Sequence, residues 1–586
     1  MTATAPRAGS VLVLDGDQGS ALAVARSLGR RGLRVLVGSD EDRPLAGLSR
    51  HVQASLRYPD PLTDAPAFVD WVAERLRDAP DTLVIPVTER TLVPLMRQRE
   101  RFAESQLAIA PTAALEQVLD KDRTVRLAQT LGIPVPRSIA VRDLAEAATA
   151  GAALGFPVVV KPARSVGQDA HQRVPLTVSY ARQPAELATQ VQHALRFGGV
   201  ILQEYFRGDG VGIEVIVDHG KVRYAFQHRR LHEVPLTGGG SSLRCSEPVV
   251  PALREAAEQL MKALGWHGVA MVEFKYDAAR QAFRLIEING RFWGSLPLAL
   301  AAGADFPAML HELLSTGRMG DWPAARDGIV CRQLARDVNW LEHVLRKAAP
   351  EGLATLPSAG QVLRDSLLVL SPRHRFDIQS WTDPWPGLVD LWRLLRHQAG
   401  RVREQLVRRW RLATARHAAR PGGRAQRRLA EGGEVLFVCY GNINRSALAC
   451  AAAARRGGAR WRFASAGFHA TAGRPADPVM VEVASAAGVD LSGWRSCTLD
   501  RTMVDQADVI LVMELAHLDR LHAAFPQARG KAFLLGAPVA SGPEVPDPYG
   551  QPRETYERVS RQVLAAVDRW FGGAASPQRP PAPPLA

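Results

Sequence analysis

No apolar run in these 586 residues is long enough to cross a membrane, so a helical membrane protein is not expected. The opening M-T-A-T-A-P-R-A-G-S lacks the apolar core of a secretion signal, which makes the cytoplasm the expected location. Cysteine is scarce. Cys245, Cys331, Cys439, Cys450 and Cys497 are odd in number and widely spaced, which argues against a disulfide framework and offers no metal-ligand spacing. The net charge of +14 and the pI near 10.0 raise nucleic acid as a partner, but no zinc-finger or RNP-like signature accompanies them. The arginine excess is concentrated between Arg393 and Arg428, where a basic linker explains it better than a binding face. Gly16 and Gly19 fall short of a dinucleotide fingerprint, and no NAD is expected.

What is present is a long α/β chain. At 46% hydrophobic residues it reads as globular, and its length predicts about two to four domains. Ser10 to Asp15 reads as a buried strand, followed by a loop, a helix and a second strand, a βαβ opening. Thr82 to Pro86 and Leu107 to Ala110 add short strands, so residues 1–112 form a Rossmann-like parallel-sheet domain.

The segment Val269 to Arg291 alternates twice. Val272, Phe274 and Tyr276 oppose Glu273 and Lys275, and Ile286 and Ile288 flank Glu287 and precede Asn289. A turn over Asp277 to Gln281 sets residues 273 and 287 opposite each other, so Glu273, Glu287 and Asn289 share one face. Such hard oxygen ligands suit Mg2+; a salt-bridged surface hairpin is the competing reading.

E-I-N-G-R followed by F-W-G-S resembles the metal-binding E-x-N-x-R element of ATP-grasp enzymes, with Glu273 as the earlier acidic ligand. Leu119 to Asp122, Gly155 to Pro162 and Gln203 to Phe206 resemble three further nucleotide-binding elements in the same order. The resemblance covers about the first 320 residues and implies an α+β ATP-grasp fold over 113–320, with ATP and Mg2+ or Mn2+ as cofactors. It implies phosphate contact for Lys121 and Lys161 and an adenine hinge at Gln203 and Glu204. The loop A-R-S-V-G-Q-D after Pro162 is then placed across the phosphates, though it is poorer in glycine than the family's usual loop. Arg229 or Arg230 faces the site, while His228 and His232 read as ordinary polar residues. Arg291 is the candidate for steadying the transferred phosphoryl group. Together these imply activation of a small-molecule carboxylate and its transfer to an amine. A nucleotide-sensing module that regulates the C-terminal domain is the alternative.

Cys331 to Leu345 is helical by spacing, and residues 321–433 read as a helical accessory segment and basic linker. Within it, a long helix over about 390–430 mixes leucine, valine and tryptophan with arginines. It can lie on anionic lipid or pack one stripe against its own protein. Packing is the expected outcome, followed by a flexible linker from Arg420 to Gly433.

At Glu434 a new α/β domain with a central parallel sheet begins. E-V-L-F-V-C-Y-G-N-I-N-R-S-A-L-A reads as strand, loop and helix, with Cys439 and Arg445 bracketing an anion nest at a helix N-terminus. The nest and dipole favour Cys439 as a thiolate nucleophile. Arg445 then clamps phosphate oxygens, Ser446 hydrogen-bonds the sulfur and Asn442 holds the loop. This stretch, with S-A-G at Ser465, A-D-V-I-L-V-M at Ala507 and P-D-P-Y-G at Pro546, resembles the low-molecular-weight protein tyrosine phosphatases over Glu434 to Phe571. The resemblance implies Asp547 as general acid and a phosphotyrosine protein or aryl phosphate as substrate. Asn444 stands where that family often has a second loop cysteine, so no disulfide within the loop is expected. Cys450 and Cys497 are expected to be buried thiols, and the tail 572–586 reads as disordered.

Overall fold

The computed structural model describes residues 9–572 apart from 104–105, 163–165, 170–171, 176–177, 197, 348–352, 354–355 and 457–459, with no side-chain detail for 162–177. The expected disordered tail therefore lies outside the described residues beyond Gly572. The chain divides into two compact units, residues 1–396 and 397–586.

The first unit opens on a four-stranded parallel sheet in the order 54–57, 34–39, 10–13, 82–85. Its strands are short apolar runs joined by helices, as a sheet covered on both faces requires. Leu107 to Ala110 does not add a full strand; it contributes one bridge, from Leu107 to Val84. Next comes an antiparallel sheet of strands 138–141, 200–204, 158–162 and 179–181. The third sheet has seven strands and contains the hairpin Gly268–Asp277 and Ala282–Asn289. Its order is 282–289, 268–277, 209–218, 221–234, 240–247, 330–332 and 374–376.

The hairpin has the expected register, with Glu273 opposite Glu287 and Met271 opposite Asn289. The alternation breaks at a bulge, where Phe274 pairs with Leu285 and Ile286 has no partner. Ile286 is consequently exposed instead of packed beside Ile288. The extra residue also turns Arg284 to the same face as Glu287, which strict alternation forbids.

Cys331 lies in a strand, Val330–Arg332, and not in a helix; the helix starts at Leu334. The reason is pairing on both sides, since 330–332 adds to strand 240–247 on one side and to 374–376 on the other. Farther on, Asp383 ties the accessory segment to the first sheet's helix layer. Its carboxylate accepts from Arg26 Nε at 2.8 Å, Ser49 Oγ at 2.7 Å and the Arg50 N–H at 3.0 Å, and it is fully buried. Burial raises this carboxyl, but the Arg50 N–H, Arg26 and Ser49 together hold it below its ordinary value. A depressed carboxyl contributes stability that is present above its unfolded pKa and lost as pH falls through the depressed value. Asp383→Ala strands a buried guanidinium and is expected to cost about 3–5 kcal/mol. Thermal melting checks this, and acid should lower the wild-type midpoint more than that of Asp383→Asn.

The second unit is built on a parallel sheet in the order 461–467, 433–439, 509–512, 532–534. The expected flexible linker is absent: Arg424–Ala430 is a helix whose Ala425 and Leu429, one turn apart, are buried in this unit's core. Ala419 joins them, and Leu412, Ala415 and Ala418 pack against the same core. The core of the second unit thus takes in residues that precede Glu434. None of the described helices is long and apolar enough to cross a membrane.

Candidate functional site

In the first unit the hairpin presents Glu273, Glu287 and Asn289 together. Asn289 Nδ2 donates to Glu273 Oε1 at 3.1 Å and to Glu287 Oε1 at 3.4 Å. Two carboxylates directly opposite on a sheet repel, and basic side chains offset this. Arg230 reaches Glu273 Oε2 at 2.5 Å, and Lys121 Nζ reaches Glu287 Oε2 at 3.3 Å. Lys161, one residue before the end of its strand, has its pKa lowered by burial and by the charge of Lys121 and raised in part by that of Glu287. Arg291 pairs with Glu89 at 3.4 Å, and a cavity of about 170 Å³ is lined by Glu89, Lys121, Glu287, Asn289 and Arg291.

Arg229 does not join this cluster. Successive strand residues face opposite ways, so Arg229 turns to Glu247 at 2.6 Å and Asp209 at 3.4 Å while Arg230 faces the carboxylates. Gln203 Nε2 donates to Ser138 Oγ at 2.8 Å. The Glu204 carboxylate is held by Arg137 at 2.7 Å and Arg284 at 3.0 Å. Arg284 was not visible as a partner from the sequence because the bulge reverses its face. His228 and His232 are not ordinary polar residues. His228 is buried 2.5 Å from the buried Glu214, and His232 bonds Asp337 at 2.8 Å and Asp365 at 3.3 Å while stacking on Trp340. Burying such groups demands partners, and each finds one from a neighbouring element. Residues 163–165 of the expected phosphate-covering loop, and the side chains of the rest, lie outside what the structure describes; the backbone of 166–169 pairs antiparallel with 172–175.

The donor set fits a divalent cation. Two carboxylates and an amide, all oxygen donors once the amide is turned, converge between strands. Among the described residues, the buried Nε atoms of Arg230 and Arg291 have no hydrogen-bond partner.

In the second unit, strand Gly433–Cys439 ends at the loop and helix Arg445–Arg456 begins just after it. Cys439 Sγ is buried, accepts from the Asn442 N–H at 3.2 Å and lies 2.9 Å from Ser446 Oγ. Asn442 has φ 54, the left-handed region that asparagine tolerates. It clamps the loop by donating to Ser446 Oγ at 3.0 Å and Ser465 Oγ at 2.6 Å and accepting from the Cys497 N–H at 2.7 Å. Trp494 Nε1 donates to its carbonyl at 2.9 Å. A Cβ at Gly467 would meet the Tyr440 carbonyl at 2.7 Å, so the loop lies flush on that glycine.

Arg445 is buried. It donates to the Val545 carbonyl at 2.9 Å and pairs with Asp547 at 2.7 Å and Glu514 at 3.3 Å. Cys439, Glu514 and Asp547 all follow the C-terminal ends of parallel strands or the loops beyond them, where ligands bind in α/β sheets. Glu514 was missed from the sequence, although its place just after strand 509–512 was a usable signal. Beside it His517 is lowered to about 4 by burial and by Arg445 and Arg520, so it is neutral at pH 7. Cys450 is buried, and burial pushes its thiol up to about 12. Cys497, expected buried, is exposed, because it lies in the loop that caps Asn442 and not in a strand or helix.

Residues 434–578 match the family model described as low molecular weight phosphotyrosine protein phosphatase. Residues 196–336 match the model described as ATP-grasp in the biosynthetic pathway with Ter operon. The chain is 35% identical over 136 residues to the probable low molecular weight protein-tyrosine-phosphatase EpsP of Ralstonia nicotianae, covering 23% of this chain and 92% of that protein. It is likewise 35% identical over 136 residues to the low molecular weight protein-tyrosine-phosphatase Wzb of Escherichia coli K12, covering 23% and 91%. Among solved structures, an L-amino acid ligase from Bacillus licheniformis aligns over 53% of this chain and 75% of its own, at 20% identity and a TM-score of 0.41. Through its C-terminal part the chain belongs to the low molecular weight protein-tyrosine-phosphatase family, and that domain is fused in sequence behind an ATP-grasp domain.

Proposed function

We propose that the second unit hydrolyses phosphotyrosine or other aryl phosphates through a phosphocysteine on Cys439. The observation that carries this reading is the convergence of Cys439 Sγ, the loop N–H of Asn442, Arg445 and Asp547. The sulfur attacks phosphorus and forms the S–P bond as the P–O bond to the phenol breaks. Asp547 gives its proton to the departing oxygen. A water then attacks phosphorus, its proton returns to Asp547, and inorganic phosphate leaves with the S–P electrons restored to sulfur. Arg445 exchanges its Asp547 partner for two phosphate oxygens, which frees the carboxyl for the leaving group. Asp547→Ala should slow hydrolysis of phenyl phosphate by about 10²–10⁴-fold and that of p-nitrophenyl phosphate far less, because a good leaving group needs little protonation. Equal slowing of both esters would remove Asp547 from the acid's role.

We also propose that the first unit uses ATP and Mg2+ to activate a carboxylate for attack by an amine. Glu273, Glu287 and Asn289 would hold the cation, which when bound neutralises phosphate charge. Lys121 and Lys161 hold phosphates, and Arg230 and Arg291 offer their unpartnered Nε donors to the transferred group. The Glu204 side chain is taken by two arginines, so in this reading it shapes the hinge and leaves adenine to the backbone. The amine displaces phosphate from the activated carboxylate. We place both activities in the cytoplasm, where ATP is available and the five free thiols stay reduced. Screening carboxylate and amine pairs for Mg2+-dependent ADP release tests the ligase reading. Failure of every pair, together with no Mg2+-dependent binding of ATP, would refute it.

A further inference from the structure

The helix Pro384–Ala419 carries an apolar stripe that stands exposed among the described residues. Trp385, Leu388, Trp392, Leu395, Leu406 and Trp410 are each between 54 and 67% exposed, and Val402 matches them at 54%. They recur three, four or seven residues apart, so they lie along one face. From Trp385 to Trp410 that face runs for about 38 Å. Just before it, Trp381 is fully exposed. The expected packing of this stripe against the protein is therefore not what the structure has. Packing lies at the two ends of the helix: Pro386 and Gly387 are buried at its start, where Arg393 donates to the Arg43 carbonyl at 2.9 Å, and in its last turns Leu412, Ala415 and Ala418 meet the second unit's core and Arg411 pairs with Asp519 at 2.5 Å.

We infer that this stripe is a docking surface for an anionic lipid bilayer, on which the helix lies in the interfacial plane. Charge selects this occupant. Between Trp385 and Trp410 stand Arg393, Arg396, Arg401, Arg403, Arg408 and Arg409, six cations against the two acids Asp390 and Glu404. Asp390 is engaged by Gln379 at 2.8 Å, and Arg408 is paired with Glu544, which leaves the excess positive. A second copy seated on the same stripe would bring two such cationic helices together, whereas anionic headgroups complement them. Tryptophan is the residue that best suits the headgroup boundary, being apolar in body and polar at its N–H. Arg396 already stacks over Trp392 at 5.2 Å, and arginines at the edges of the stripe can extend their heads outward while their stems stay on the apolar side. Among the described residues no helix is long and apolar enough to cross a bilayer, and the inferred contact is peripheral and reversible.

The test uses the full chain with vesicles of phosphatidylcholine alone, or with about 30% phosphatidylglycerol, at ionic strengths from about 0.05 to 0.5 M. Co-sedimentation is expected with the anionic vesicles only, with a blue shift of tryptophan emission and release as salt rises. Leu395→Asp with Leu406→Asp should lower the bound fraction about tenfold, and Arg403→Glu with Arg409→Glu should do the same. All four positions are exposed, so an unchanged melting midpoint verifies folding. Absence of binding to anionic vesicles at low salt would overturn the inference, as would binding that both variants leave intact. A stripe-dependent dimer in sedimentation, without lipid binding, would assign the face to a second copy and also overturn it.

Discussion

Cys439→Ser is expected to lower hydrolysis of p-nitrophenyl phosphate by at least about 10⁴-fold while leaving phosphate binding intact. The oxygen keeps the hydrogen bonds that the sulfur makes to the Asn442 N–H and Ser446, so the loop has no reason to collapse. Arg445 is fixed by the Val545 carbonyl and remains available to an anion. What is lost is the nucleophile, since a serine hydroxyl without an adjacent base is a poor one. Binding is read from calorimetry with inorganic phosphate and turnover from p-nitrophenolate release. Loss of both would place Cys439 in the architecture of the loop, and loss of neither would remove it from the reaction.

Glu287→Gln is expected to abolish the Mg2+-dependent part of ATP binding, an effect of at least about tenfold or ~1.4 kcal/mol, and with it any Mg2+-dependent ADP release. Glu287 touches both the Asn289 amide and Lys121, so its charge is central to the cluster. Removing that charge also leaves Lys121 and Lys161 less balanced, which should leave metal-free binding of ATP phosphates unchanged or stronger. Titration of ATP with and without Mg2+ separates the two terms. Phosphatase activity measured on the same preparation should not change. ATP binding that responds equally to Mg2+ in the variant and the parent would sink the metal assignment.

How far the sequence carried the reading depended on periodicity. The hairpin register was legible because alternation over Val269 to Tyr276 and again before Asn289 leaves one pairing that hides both apolar faces. The bulge was not, because a one-residue insertion leaves no mark in composition; with it went the exposure of Ile286 and the Arg284 to Glu204 pair. Short strands such as Val330–Arg332 depend on distant partners, which a local pattern cannot report. Ala425 and Leu429 escaped notice because two small apolar residues among arginines give a weak helical signal. In the phosphatase loop the reverse held: Cys439, Asn442, Arg445 and Ser446 lie within eight residues, so local spacing set their geometry. Glu514 and Trp494 reach that loop from far along the chain and became visible through the fold alone. The stripe on helix Pro384–Ala419 was periodic in sequence, but periodicity shows a face and not what covers it.

The account rests on a phosphatase that works through Cys439 without nucleotide and without the first unit. A fragment started at residue 431 would lose Ala419, Ala425 and Leu429 from the core, so the fragment to use is the compact unit 397–586. Its kcat/KM for p-nitrophenyl phosphate, measured in the absence of ATP, is predicted to equal that of the full chain. A folded fragment that is inactive, or that turns over only when ATP and the first unit are supplied, would contradict the account.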